Sequence, residues 1–152
     1  AYGTLDEATS CLGLARALAT NQRTKDVLVA VQRDLYVMMA ELAFTPEMQQ
    51  KRYHITEEHV ARIERETDQL AAEVPLPPHF ILPGDTVAGA ALDLARTVVR
   101  RAERLVVKLA HEGDITNDEM LAYLNRLSSL LFVLARFEDQ QAGVTPTPAK
   151  QA

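Results

Sequence analysis

The sequence predicts an all-α protein, a single antiparallel bundle of five helices. Three observations carry that expectation. Apolar residues recur at three-and-four spacing over long stretches, the mark of a helix with one buried face. The breaks between these stretches are short, polar and marked by proline or glycine. No run alternates with a period of two, so no strand is expected, and no internal repeat appears. The 152 residues suit one domain with a full core, and short breaks favour antiparallel neighbours.

Each element has a local reason. Thr4-Leu5-Asp6-Glu7 reads as a capping box, with Thr4 at the N-cap and Glu7 three residues on. It opens a first helix expected to reach Thr20. A second is expected from Thr24 to Phe44, with Val27, Leu28, Val31, Leu35, Met38, Met39 and Leu42 on one face and Pro46 as its stop. The loop from there to His54 is polar and expected to be exposed. Thr56 caps a third helix that turns Val60, Ile63, Leu70 and Val74 inward. The segment PLPPHFILPGD, residues 75–85, holds four prolines and a glycine and excludes regular helix. A long fourth helix is expected from Thr86 to His111, ending near Gly113. Asn117 caps a fifth, from Asp118 to Gln140. Residues 1–140 form the predicted domain. The tail 141–152, QAGVTPTPAKQA, lacks periodicity and is expected to be disordered.

Composition narrows the function classes. A net charge of −5 disfavours nucleic-acid binding. Cys11 is the single cysteine, so no internal disulfide forms and a reducing compartment fits. No apolar run of about 18 residues is visible, so no membrane span is expected. The chain opens at AYGTLDE without Met, and the reading expects an N-terminal piece to be missing. A cytoplasmic location is expected, or the mitochondrial matrix for a eukaryotic source.

The stretch RTVVRRAER, residues 96–104, carries four arginines and a glutamate beside much Ala and Val. At about 100° per residue, Ala91, Leu94, Ala95, Val98, Val99, Ala102, Leu105 and Val106 share one face of the fourth helix, the predicted core face. Asp93, Arg96, Arg100, Glu103 and Arg104 fall on the other. Arg96, Arg100 and Glu103 follow i, i+4, i+7 spacing and stack in one stripe, flanked by Arg101. Such a stripe is either a solvated face with helical ion pairs or an anion site, because guanidiniums offer forked donors to phosphate oxygens. Asn125, amid the leucines of YLNRLSSLLFVLAR, is either a surface residue or a donor and acceptor facing a pocket. Phe80, on the proline-rich segment, either plugs the bundle end or walls a flat ligand. His54, His59, His79 and His111 show no paired metal-ligand spacing, and Gly84 to Gly89 does not form a phosphate loop.

Three segments in this order, GTLDEATSCLGLARA, FILPGDTVAGAALDLARTVVRRAER and YLNRLSSLLFVLAR, resemble the PduO-type ATP:cob(I)alamin adenosyltransferases. The resemblance covers most of the chain before its tail. It implies a five-helix bundle assembling as a homotrimer, with sites between subunits. It implies transfer of the 5′-deoxyadenosyl group of ATP to the cobalt of reduced cobalamin, releasing triphosphate, with Mg2+ present. On that pattern Arg96 pairs with Asp6 of a neighbouring subunit, and Arg100 contacts the ATP phosphates. Arg101, Glu103 and Asn125 match further nucleotide-site positions. Phe80 matches the aromatic against the lower face of the corrin. A reductase and an adenosylcobalamin-dependent enzyme are the implied partners, with no nucleic acid and no membrane.

Several positions depart from the family pattern. Its Gly-rich threonine loop before the first helix is absent here. Ser129 stands where YLNRLSD has Asp, and Asp85 where the loop reads Pro-Gly-Gly. DLAR at 93–96 replaces a His-containing version, and DEATS replaces DELNS. The alternative reading is therefore a non-catalytic relative that binds corrinoid or nucleotide in delivery or regulation. A purely structural bundle with a solvated arginine face is the third.

Overall fold

The computed structural model describes residues 1–44 and 53–151. Its helices are α1 (Tyr2–Leu18), α2 (Gln22–Ala43), α3 (Glu57–Glu73), α4 (Val87–His111) and α5 (Asp118–Gln141). Two short strands, β1 (Ile81–Leu82) and β2 (Thr147–Pro148), pair antiparallel. Three caps stand where the sequence places them: Thr56 before α3, Thr86 before α4 and Asn117 before α5. Thr86 Oγ1 accepts from Gly89 N, and Asn117 Oδ1 from Glu119 N, so each supplies an acceptor to an otherwise open amide. Gly113 takes a positive φ of 81° just past α4, the left-handed stop that glycine allows. Pro46 and most of the polar loop after it lie outside the described residues; His54 is exposed.

The Thr4 capping box is not used. Leu5 N already bonds Ala1 O, and the helix starts at Tyr2 with no side-chain cap. A local pattern that fits a cap yielded to a helix already running through it.

Side-chain pairs fix the helix directions. Asp93–Arg136 and Glu103–Asn125 set α4 antiparallel to α5. Thr24–Glu138 and Asp34–Tyr123 do the same for α2 and α5. Arg126–Glu64 and Gln140–Glu73 make α3 parallel to α5, because the proline-rich segment and α4 intervene between them. α5 is the central helix, packed on α3, α4 and α2. By length and composition it could cross a membrane, contrary to the expectation that no such run exists. Yet 67% of its most apolar window is buried inside the bundle, and its inward Arg136, Glu138 and Asp139 all find polar partners. It is a core helix.

The core runs through Leu5, Leu12, Leu28, Leu35, Ile63, Leu70, Leu92 and Leu124, all essentially inaccessible. Buried polar groups are tied to partners, as burial requires. Tyr123 donates to Asp34 Oδ2 at 2.7 Å, Arg62 pairs with the same carboxylate, and burial pushes the phenol well above its ordinary pKa.

Two further expectations are overturned. The tail is not without structure: Thr147–Pro148 pairs with Ile81–Leu82, and Ala149 N donates to Phe80 O at 2.8 Å. Two-residue strands leave no periodic trace in a sequence, since the partner lies far along the chain. On α4, Asp93 is buried at 4% exposure and Leu94 is exposed at 54%, the reverse of the expected faces. The wheel assigned the charge to solvent; the partner Arg136 on α5 draws it inward.

His59 ties the start of α3. Its Nδ1 accepts from Thr56 N at 2.9 Å, which needs a neutral ring. Burial holds its pKa below the usual histidine value; the Glu58 and Glu41 carboxylates oppose this and His54 adds to it. The unfolded chain therefore takes the proton more readily. The cap contributes fully above the unfolded value of about 6.5 and is lost as pH falls through the folded one. The melting midpoint is expected to drop more between about pH 7.5 and about pH 5 for the parent than for His59→Gln, whose amide accepts without titrating. Equal drops would place the titration elsewhere.

Candidate active site

Arginines and an aromatic meet on one surface where α3, α4, α5 and the proline-rich segment converge. A cavity of about 430 Å³ is lined by Thr67 and Ala71 of α3, Arg96 and Arg100 of α4, and Ser128, Ser129, Phe132 and Val133 of α5, with Leu76. A second, of about 470 Å³, is lined by residues 77–81, including Phe80, together with Arg96 and Phe132. Arg96 and Phe132 border both, so the surface runs unbroken from Arg100 to Phe80.

The guanidiniums differ in freedom. Arg100 is exposed and makes no ion pair among the described residues. Arg96 is half-buried; its Nε lies 3.6 Å from Asp93 Oδ1 and makes no hydrogen bond. One turn beyond Arg100, Glu103 Oε1 accepts from Asn125 Nδ2 at 3.2 Å. The structure thus brings Glu103 and Asn125 together, although neither lines the two cavities. Arg101 departs from the expected grouping. It pairs with Glu7 on α1 and lines neither cavity. Asp6 is exposed on α1 without an ion pair among the described residues.

Phe80 is 90% exposed. Its side chain is free, but its backbone is held by Ala149, and the strand pairing continues through Leu82. Asp85 closes the loop: Oδ2 accepts Thr147 N at 2.9 Å and Oδ1 accepts Thr147 Oγ1 at 2.5 Å. Those donors, the hydroxyl foremost, hold the Asp85 carboxyl below its ordinary pKa. The aromatic therefore stands on a loop clasped by the tail.

Beneath this surface lies a buried ionic cluster that the sequence reading missed. Arg136, 3% exposed, donates from Nη2 to Asp93 Oδ2 at 2.7 Å, and its Nε lies 3.2 Å from Asp139 Oδ2 without hydrogen-bond alignment. Its guanidinium stacks over Phe132, 5.1 Å from the ring centroid. Asp139 Oδ1 accepts Thr86 Oγ1 at 2.7 Å. The available signal was a charge at an inward position of a leucine-rich helix. Among the described residues no group of three or more His, Cys, Asp or Glu could hold a metal ion.

Guanidiniums that leave donors open beside an exposed aromatic suit an anionic ligand with a flat apolar part. The cobalamin adenosyltransferase profile matches residues 1–138. The corrinoid adenosyltransferase of Bacillus subtilis is 40% identical over 147 residues, covering 94% of this chain and 75% of that protein. The corrinoid adenosyltransferase PduO of Salmonella typhimurium is 40% identical over 143 residues, covering 93% of this chain. This chain spans only 42% of that relative's length. Among solved structures, a variant PduO-type ATP:corrinoid adenosyltransferase from Lactobacillus reuteri, complexed with cobalamin and ATP, superposes with a TM-score of 0.89 at 29% identity. That match covers 99% of this chain and 82% of the other. The chain belongs to the cobalamin adenosyltransferase family.

The clasp gives a direct test. Asp85→Ala removes both acceptors of Thr147, and hydrogen exchange at the Thr147 amide should speed by about tenfold or more. An amide that exchanges as slowly in the variant would show that the strand pair holds without Asp85.

Proposed function

We infer that the chain transfers the 5′-deoxyadenosyl group of ATP to the cobalt of reduced cobalamin, giving adenosylcobalamin and triphosphate. The observation that carries this reading is the unbroken surface from Arg100 through Arg96 and Phe132 to Phe80. It sets phosphate-type donors beside an apolar wall, and a family relative of the same fold is complexed with cobalamin and ATP.

The residues suit that chemistry. Cobalt(I) is itself a strong nucleophile, so no general base is needed. Its electron pair forms the bond to C5′, the C5′–O bond breaks, and that pair leaves with triphosphate. The protein must hold the two partners in line and balance the departing charge. Arg100, exposed and unpaired, is assigned to the phosphates, and Glu103 with Asn125 to the nucleotide beyond. Mg2+ would be carried on phosphate oxygens and water; among the described residues no carboxylate cage is formed. Phe80 is assigned to the lower face of the corrin, where it fills the axial space without coordinating.

A trimer fits the surface. α1 and α4 pack together, yet Leu14, Val87 and Leu94 remain exposed on them. Asp6 on α1 makes no ion pair among the described residues, which favours pairing with Arg96 of a neighbour. Arg101, held against α1 by Glu7, would reach the nucleotide from that same seam. A reductase would supply the reduced cobalt, and a cytoplasmic setting suits that step and the free thiol of Cys11.

One observation favours a second reading. Ser129 lines the arginine cavity where the family pattern has Asp, which fits a relative that binds without turning over. The full-length protein, incubated anaerobically with chemically reduced cobalamin, ATP and magnesium, separates the two. Conversion of the cob(I)alamin spectrum to that of adenosylcobalamin is expected. Arg100→Ala should slow it by about a hundredfold. Binding of corrinoid without product would support the second reading. Phe80→Ala should slow turnover by about tenfold while ATP affinity stays within about twofold. Unchanged turnover would remove Phe80 from the mechanism.

A further inference from the structure

We propose that Asp93 is a positioning residue that aims Arg96 into the site from within its own chain. The inference rests on the adenosyltransferase reading above and deepens it.

Asp93 is one of the few buried carboxylates, and its two oxygens face different arginines. Oδ2 accepts from Arg136 Nη2 at 2.7 Å, and Oδ1 faces Arg96 Nε at 3.6 Å. The first contact fixes the second. Arg136 has little room to move, since it lies between Asp93 and Asp139 and stacks on Phe132. Asp139 in turn is held by Thr86, the N-cap of α4. A chain of contacts thus runs from the start of α4, through α5, and back to α4 one turn before Arg96. Gly89 marks how closely the two helices meet: a Cβ there would lie 2.5 Å from Asp139 Oδ1 and 2.7 Å from Thr86 Oγ1.

Charge explains why a carboxylate is needed. Arg96 and Arg136 carry two positive charges into a half-buried space, and Asp93 with Asp139 balances them. Arg96 Nε, inaccessible and without a hydrogen bond, has Asp93 as its near acceptor. With Nε directed to Asp93, the terminal nitrogens of Arg96 are left for the cavities it borders. An amide at 93 has a single oxygen, which can face only one of the two arginines in this geometry. It would keep Arg136 and present its N–H2 to Arg96, donor against donor.

Asp93→Asn should therefore lower turnover by about tenfold or more while KM for ATP shifts much less; the melting midpoint falls as well, as in the control below, because Arg136 loses one of its carboxylates. Glu138→Gln serves as the control. Glu138 is equally buried and lies two residues from Arg136, but its partners are Thr20, just before α2, and Thr24 on α2. It should lower the melting midpoint and leave turnover near the parent value. Turnover of Asp93→Asn equal to the parent would overturn the proposal, as would parallel losses of turnover and stability in both variants. Should Asp93→Asn fail to fold, the doubly neutral Asp93→Asn/Arg136→Gln chain removes the unpaired charge, and parent-like turnover there would equally overturn it. The Nε–H resonance of Arg96 is read alongside, in the protein without ligands. It should be slowly exchanging in the parent and lost in Asp93→Asn; an unchanged resonance overturns the proposal even if the parent forms no adenosylcobalamin, an outcome that would by itself count against the reading of the site.

Discussion

Arg136 carries a full charge at 3% exposure on the seam between α4 and α5, and the arrangement of that seam follows from it. An unpaired ion there would cost several kcal/mol. Asp139 answers it from α5 itself, and Asp93, on α4, does so only if α4 and α5 meet in one register, with Thr86 on Asp139 and Gly89 close beneath it. Apolar packing alone tolerates small slips between helices, whereas an ion held from two sides does not. Since Arg96, Arg100 and Glu103 ride on α4 and Asn125, Ser129 and Phe132 on α5, this register is also the geometry of the site.

Much of this could be read from the sequence, and the division follows the range of each interaction. The helices and the caps Thr56 and Asn117 were legible because their hydrogen bonds close within one turn. The stripe of Arg96, Arg100 and Glu103 was legible for the same reason, since helical spacing alone aligns it. What failed depended on distant partners. Asp93 was read as solvent-facing because a wheel cannot show Arg136, forty-three residues on. Arg101 was grouped with its neighbours in sequence, but Glu7 of α1 turns it to another seam. The tail was read as disordered because its order comes from Asp85 and Phe80, not from itself. The Thr4 box failed differently: the pattern was present, and the helix passed through it.

The site combines opposite electrostatic demands. The chain as a whole carries −5, which repels a polyphosphate at long range. Arg96 and Arg100 concentrate positive charge on one face, where low-dielectric walls of Phe132, Val133 and Leu76 strengthen its field.

The clasp between Ala149 and Phe80 has a topographic consequence. The chain leaves β2 at the rim of the aromatic loop rather than at a remote end of the bundle. A purification handle, dye or carrier domain joined after residue 151 would start beside Phe80 and crowd any flat ligand approaching it. The helix junction near Gly113, by contrast, is exposed and bordered by neither cavity, which makes it the quieter place to attach a probe.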